Sequence, residues 1–249
     1  MRRGWLDRLL ALGQPRWDAG LRPGPRPVAE GLYAIERRFF LPGGVAMPTR
    51  SFAVRLADGG LVVISPPPDE DARRDVAMLG PVRFLVAPNP FHYAGLASWA
   101  AAFPDARVLL APGLRARRPE LPAGDEIAEG VATPFAAALA HTVLGPFRGV
   151  SEVAFFHHAS RSLILTDACF HIRDASRARD RLAYRMLGAW RRFGPSLTAR
   201  TILLRDSQEV ARFVERLCRF DFARIAVAHG DVLEPASREA LCAAFRSYL

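Results

Sequence analysis

The sequence of 249 residues predicts an α/β fold in which two packed sheets are covered by helices on their outer faces. Short apolar runs such as 82–87 are typical of buried strands, and amphipathic segments of helical length separate them. Each half of the chain begins with a hairpin and continues with helix-and-strand units, without a sequence repeat or a boundary between the halves. We therefore expect one four-layered αββα sandwich over residues 31–249.

The first thirty residues are expected to precede that domain. Large apolar side chains recur there at helical spacing: Trp5, Leu6, Leu9, Leu10 and Leu12. An amphipathic helix is predicted, followed by a linker over residues 13–30, which are rich in Gly and Pro. The apolar part is too short and too interrupted by charge for a signal peptide. Packing on the protein itself is preferred to contact with a membrane surface.

In the first half of the domain, alternating apolar residues and turn chemistry predict the strands, and helical periodicity predicts the segments between them. The expected strands are 31–40, 51–56, 61–65, 82–87 and 107–110, with a hairpin turn at 57–60. The expected helices are 69–79 and 92–103. Residues 113–140 carry Pro and small residues and are expected to form loop with short helices.

The second half shows the same alternation. A hairpin is expected from strands 152–156 and 162–165, followed by strands 201–204 and 224–228. Helices are expected at 174–190 with Asp174 or Ser176 as N-cap, at 207–220 with Ser207 as N-cap, and at 235–249 with Pro235 at the start.

The composition excludes several classes of protein. All 34 basic residues are Arg, so a catalytic lysine and a lysine-type phosphate-binding loop are ruled out. Half of the residues are hydrophobic, which excludes a disordered chain, and no apolar run approaches the ~20 residues of a transmembrane helix. The avoidance of Lys and Asn is typical of a GC-rich genome.

The net charge of +9 allows an acidic partner, but we favour the interpretation that arginine replaces lysine throughout and that an arginine-rich surface needs no partner. The arginines are spread along the chain without the aromatic-and-glycine pattern of an RNA-binding sheet, so no specific nucleic acid is expected. The densest basic stretch, 173–192, leaves an anionic substrate or surface open. Three separated cysteines, Cys169, Cys218 and Cys242, favour neither a disulfide framework nor a metal motif and suggest a cytoplasmic location.

Three potential metal ligands share one position relative to predicted strands. His92 follows strand 82–87 after a short loop, Asp167 follows strand 162–165, and His229 follows strand 224–228. Ligands of α/β sheets gather at the carboxyl ends of the strands. Two histidines and one carboxylate can hold a divalent metal and leave positions for water and substrate.

This constellation resembles the metallo-β-lactamase-like hydrolase superfamily, whose first motif is HxHxDH. The matching stretch ends at His92, with Ala87 and Asn89 in place of the first two histidines and Phe91 in place of the aspartate. The third histidine of the superfamily would fall in 145–149, which is GPFRG. Asp167 in LILTD matches the bridging aspartate, and His229 in AHGD matches the last histidine.

The resemblance therefore implies that the first metal site is lost and the ligands of the second remain. A mononuclear site, a metal-free site with new chemistry and an inactive relic all stay open. The aspartate that Phe91 replaces normally orients the nucleophilic water and helps to bind metal, so weaker water activation is expected. Nearly the whole chain is similar to an uncharacterised bacterial and plant family of that superfamily, in which the first motif has the form PN-x-x-H, as at Asn89 and His92.

The leading hypothesis is a hydrolase-type protein with at most one zinc or iron ion, held by His92, Asp167 and His229. A metal-bound water would attack an ester, thioester or similar bond of a small-molecule substrate. The rival hypothesis is an inactive fold that serves as a ligand-binding or scaffold protein. Peripheral membrane or anion binding through the N-terminal helix and the arginines ranks below both.

Other polar residues allow several roles. Asn89 could bind a metal through its amide oxygen, donate to a substrate oxyanion or only form an Asx turn. His171 and Tyr93 are candidates for supporting the ligands. We expect His157 and His158 to be structural or exposed. Two residues have a structural and a functional interpretation, of which we prefer the structural one: Cys169 as a core residue and Arg148 as a surface residue rather than an anion ligand.

Overall fold

The computed structural model describes residues 17–18, 24–41 and 43–249. The strands are β1 Trp17–Asp18, β2 Arg26–Ala29, β3 Leu32–Leu41, β4 Val45–Arg55, β5 Leu61–Ile64, β6 Val82–Ala87, β7 Arg107–Leu110, β8 Asp125–Glu126, β9 Leu139–Phe147, β10 Val150–His157, β11 Ser162–His171 and β12 Arg224–Gly230. The helices are α1 Glu70–Ala77, α2 Leu96–Ala102, α3 Leu114–Arg117, α4 Ala178–Met186, α5 Leu197–Ile202, α6 Ser207–Cys218 and α7 Arg238–Ala244.

The strands form two sheets. The larger has the order β1-β3-β4-β5-β6-β7-β8, with β2 paired to β3, and the smaller has the order β12-β11-β10-β9. The successive pairs β5–β6, β6–β7 and β7–β8 are parallel, and so is the pair β11–β12. The pairs β3–β4 and β10–β11 are antiparallel. His92 follows β6 as expected, whereas Asp167 and His229, expected just after their strands, lie within β11 and β12, which continue to His171 and Gly230.

Three apolar layers hold the molecule together and confirm the αββα arrangement. Phe52 and Phe155 are among the buried residues between the two sheets. Leu85 of β6 packs with Trp99 of α2 on the outer face of the larger sheet. On the outer face of the smaller sheet, Phe213 of α6 belongs to a cluster that also includes α5 and α7. Each sheet is therefore buried on both faces, as its near-continuous apolar strands predict.

The predicted strands 82–87 and 107–110 have the bounds that the sequence indicates, whereas several other segments differ. The helix expected at 92–103 begins only at Leu96, because residues 88–95 form turns. The prediction of a strand at 201–204 is wrong, because helix α5 occupies 197–202. Ser196 caps the start of this helix, since its Oγ accepts a hydrogen bond from Ala199 N. Strand β9 was missed, because its small residues and Pro146 resemble a loop.

Helix termini also differ from the predictions. Helix α4 covers only 178–186 of the expected 174–190, and its N-cap is Arg177 rather than Asp174 or Ser176. Asp206 caps α6 in place of Ser207, accepting from Glu209 N at 3.0 Å. The last helix begins after Ser237 rather than at Pro235. In both α6 and α7 the N-cap is the residue whose side-chain oxygen accepts from the backbone nitrogen of the third helical residue.

The predicted N-terminal helix lies outside the described residues. The linker predicted for 13–30 is corrected in part, because β1 and β2 within it both pair with β3. In the part of the chain that the structure describes, no helix combines the length and apolar character needed to cross a bilayer.

Candidate metal centre

The structure brings the three predicted ligands together between the two sheets. His92 Nε2 lies 3.1 Å from His229 Nε2. Asp167 directs Oδ2 towards His92 Nε2 and Oδ1 towards His229 Nε2, each at 3.3 Å. The two imidazoles are buried, and 16% of the Asp167 side chain is exposed, so the cluster meets solvent through the carboxylate.

These distances suit a single metal ion. For metal–ligand distances near 2.0–2.2 Å and angles of 90–110°, two ligands of one ion lie roughly 2.8–3.6 Å apart. The three measured separations fall inside that interval, and the potential ligand atoms all lie within 4.8 Å of one another. The donor set of two imidazoles and a carboxylate fits zinc or iron.

His229 is held with its lone pair towards the cluster. Its Nδ1 lies 2.8 Å from the carbonyl oxygen of Pro48, which can only accept a hydrogen bond. The neutral ring therefore carries its proton on Nδ1 and presents Nε2 without one. Phe170 stacks on the ring with a centroid distance of 4.6 Å. The next residue must be glycine, because a Cβ at Gly230 would lie 2.2 Å from the carbonyl oxygen of His171.

His92 is oriented by a residue that the sequence analysis missed. Ser65 Oγ, directly after β5, lies 2.6 Å from His92 Nδ1. Ser65 has a φ of 58°, a strained value for a residue other than glycine. Burial lowers the pKa of His92 to about 4, and the charge of His229 adds to this effect against the opposing charge of Asp167. The neutral ring that a metal requires is thus favoured near neutral pH.

Asp167 is held in its ionised form. Burial by itself would raise its pKa, but the neighbouring imidazoles and the amide of Asn89 outweigh burial and keep the pKa below its usual range. Asn89 Nδ2 donates to Asp167 Oδ2 at 2.7 Å. The carboxylate therefore offers a negative charge to a cation in the cluster.

Asn89 forms the predicted Asx turn. Its Oδ1 accepts from Phe91 N at 2.8 Å and from His92 N at 2.9 Å, which places His92 against the cluster. Because both bonds occupy the amide oxygen, that oxygen is turned away from Asp167 and is poorly placed to bind a metal. The nitrogen faces Asp167, Thr166 and Glu152.

Glu152 is a second site residue that the sequence analysis missed. It is fully buried and accepts from the backbone nitrogens of Thr166, Asp167 and Ala168 at 2.8–2.9 Å. Burial and the charge of Asp167 raise its pKa to about 7, against the backbone donors that favour the anion. Glu152 thus fixes the stretch of β11 that presents Asp167. In the sequence it was interpreted only as a strand residue.

The remaining candidates have contacts with other residues. His171 Nδ1 lies 3.1 Å from Asp231 O, and Tyr93 lies under the guanidinium of Arg118. His157 is buried and lies 2.7 Å from Ser160 Oγ. His158 is exposed, Cys169 belongs to the core of the smaller sheet, and Arg148 is exposed at the turn between β9 and β10.

A cleft of about 690 Å³ lies beside the cluster. Pro48, Ala228 and Gly230, which contact or flank His229, form part of its wall, but none of the three candidate ligands lines it. Five arginines and five acidic residues line the cleft, so its charge does not select an anion.

Solved structures with this fold include several metalloproteins. FIM-1, a metallo-β-lactamase from Pseudomonas aeruginosa in its mono-zinc form, is 10% identical over 92% of this chain and 97% of its own, with a TM-score of 0.64. A metallo-β-lactamase from Pontibacter korlensis is 13% identical over 90% and 99%, with a TM-score of 0.61. The metal-soaked Flv1 flavodiiron core from Synechocystis sp. PCC6803 is 11% identical over 91% and 60%, with a TM-score of 0.60. At these identities the similarity shows the fold alone.

Sequence comparison gives a more specific assignment. No curated protein matches the chain in sequence. A family model described as domain of unknown function (DUF4336) matches residues 30–187, from just before β3 to just after α4. The match covers more than half of the chain and includes Asn89, His92, Glu152 and Asp167. The chain therefore has a metallo-β-lactamase-like fold and belongs to the DUF4336 family.

Proposed function

We propose that the protein binds one zinc or iron ion through His92, Asp167 and His229 and acts as a metal-dependent hydrolase on a small-molecule substrate. The observation that carries the proposal is the separation of 3.1–3.3 Å between the facing atoms of these side chains. Three protein ligands leave further coordination positions for water and substrate. The existence of a mono-zinc form of FIM-1, which has this fold, supports the proposal of a single ion.

The chain's own residues prepare the centre for a cation. Pro48 O and Ser65 Oγ hold the outer nitrogens of the imidazoles, so both inner nitrogens point at the same place. Asp167 supplies negative charge where water is largely excluded, which strengthens its attraction for a cation. A divalent ion would supply Lewis acidity, polarising a carbonyl oxygen and lowering the pKa of water.

The centre is expected to activate water weakly. Phe91 occupies the motif position of a carboxylate that would orient water, and its ring packs against the core of the smaller sheet. Glu152 cannot replace that carboxylate, because its oxygens accept from three backbone nitrogens and it is fully buried. Activated esters or thioesters are therefore better substrates for a first screen than amides.

The cleft beside His229 supports a small-molecule substrate. A volume of about 690 Å³ lies in the range of ordinary ligand pockets. The balanced charge of its walls favours a neutral or zwitterionic substrate over a polyanion.

The first prediction concerns metal content. Protein purified without a metal-binding tag is expected to contain about one zinc or iron ion per chain, measured by inductively coupled plasma mass spectrometry. The double variant His92→Ala, His229→Ala is expected to contain none, because one carboxylate alone binds these ions weakly. His141→Ala serves as the matched control, since His141 faces Ala128 O away from the centre.

Three results would contradict the proposal or a part of it. Wild-type protein without metal after incubation with zinc and with ferrous iron would favour an inactive fold that serves as a binding or scaffold protein. Metal retained in the double variant would place the ion elsewhere. Hydrolysis of an ester library that is unchanged by the double substitution would remove the catalytic part of the proposal.

A further inference from the structure

We propose that the amide nitrogen of Asn89 occupies the place of a second cation and thereby limits the centre to one metal ion. The inference rests on the proposed function for the first ion. It is carried by a different observation, which is the set of oxygen atoms that surrounds this nitrogen.

Three oxygen atoms converge on Asn89 Nδ2. Asp167 Oδ2 lies at 2.7 Å, Thr166 Oγ1 at 2.9 Å and Glu152 Oε2 at 3.4 Å. The identity of the nitrogen is set by its surroundings, because Oδ1 accepts from two backbone N–H groups on the other side of the amide. Two carboxylates and a hydroxyl thus face one group that can only donate.

Such a set of oxygens is chemically a cation site. Glu152, Thr166 and Asn89 are buried to within about 1% of full burial, so the two carboxylates lie in a region of low dielectric where their mutual repulsion is large. Hydrogen-bond donors or a cation must offset it. The amide provides two polarised N–H bonds at that position and removes the space that an ion would need.

The position is adjacent to the first centre. Asp167 Oδ2 receives the amide and also lies 3.3 Å from His92 Nε2. A cation in place of the amide nitrogen would therefore share this carboxylate with the ion between the histidines. Asn89 is in this sense a residue that determines metal stoichiometry.

The test is Asn89→Asp. This substitution keeps the oxygen that accepts from Phe91 N and His92 N, so the Asx turn is preserved, and it replaces the donating NH₂ by a third oxygen acceptor. The position then faces three carboxylates and has lost the amide donor between them, which favours a cation. The wild type is expected to bind one Mn²⁺ or Zn²⁺ per chain and Asn89→Asp two, measured by mass spectrometry after equilibration and desalting. With Mn²⁺, electron paramagnetic resonance of the variant is expected to show a spin-coupled pair.

Glu152→Gln in the Asn89→Asp background is the matched control, and it is expected to lose the extra ion while keeping the first. A gain of one ion on Asn89→Asp supports the inference whether the wild type binds no ion or one, so failure of the proposed function is distinguishable. An unchanged count, or two ions in the wild type, would overturn it. If Asn89→Asp does not fold, Asn89→Ala empties the position without adding charge, and an unchanged count there would overturn it equally.

Discussion

At the residue scale, the candidate centre depends on what holds the outer nitrogen of each imidazole. His229 is held by a backbone carbonyl, which no substitution at Pro48 removes directly. His92 depends on the hydroxyl of Ser65, a side chain that can be changed. Ser65 also carries an unfavourable backbone conformation, with a φ of 58°. The chain thus has a small polar residue at position 65, where glycine would be less strained.

Ser65→Ala is expected to weaken metal binding about 10- to 100-fold, because His92 loses the hydrogen bond that orients its ring. The dissociation constant would be measured by competition with a chromophoric chelator. An affinity equal to that of the wild type would show that packing alone orients His92.

Ser65→Gly separates the hydroxyl from the backbone strain. It is expected to bind metal as weakly as Ser65→Ala, because both lack the hydroxyl. Its metal-free form should have a free energy of unfolding about 1 kcal/mol higher than that of Ser65→Ala, since glycine adopts a positive φ without a Cβ clash. Equal unfolding free energies, measured with urea, would contradict this account.

At the element scale, the start of α2 is pressed against the loop that follows β5. Gly95 N donates to Pro66 O at 3.1 Å, and the Trp99 indole donates to Pro67 O at 2.6 Å. A Cβ at Gly95 would lie 2.4 Å from both proline carbonyl oxygens. This contact connects the helix after His92 to the loop that carries Ser65.

Gly95→Ala is expected to push that loop away from α2. The predicted cost is about 1–3 kcal/mol in free energy of unfolding, as for other overpacked sites. Metal affinity should fall as well, because Ser65 moves with the loop. Ala94→Ser, at an exposed neighbour, is the matched control. Urea unfolding and chelator competition measure the two effects, and a stable variant with unchanged affinity would contradict the prediction.

The elements differ in how well their sequence predicts them. Strands β6 and β7 are short apolar runs bounded by Gly, Pro or polar residues, and their bounds follow from this pattern. Helix α5 has only six residues, among them Thr198, Thr201 and Ile202, whose β propensity suggests a strand. Its helical state depends on the Ser196 cap and on packing against the smaller sheet, neither of which a propensity scale contains.

At the scale of the whole molecule, the arginines form many ion pairs. Arg216 contacts Glu209 at 2.8 Å, and Arg161 contacts Asp221 at 2.7 Å. Such pairs each contribute little to stability when exposed. They agree with the interpretation that arginine replaces lysine on an ordinary charged surface.

Global stability is expected to depend on His157, a buried residue at the end of β10. Burial lowers the pKa of His157 below its usual 6.5, and the charge of His158 adds to this effect. The unfolded chain therefore binds the proton at a higher pH than the folded protein, so the stability contributed above pH 6.5 is lost as the pH falls towards the folded-state pKa. His157→Gln removes this dependence.

Urea unfolding of both proteins at pH 8 and pH 5.5, with a chelator present, measures the effect. The wild type is expected to lose more free energy of unfolding between these values than His157→Gln. An equal loss in the two proteins would show that His157 has the same pKa in both states.

The sequence by itself determined the αββα fold, the positions of most strands and the three candidate ligands, because apolar periodicity and the ends of strands are local properties of the chain. Only the tertiary structure decided how the centre is supported. Ser65, just after β5, and Glu152, on β10, lie 27 and 15 residues from His92 and Asp167, and nothing local in the sequence connects them. The nitrogen of Asn89 likewise meets Asp167 across 78 residues, because the two sheets pack face to face.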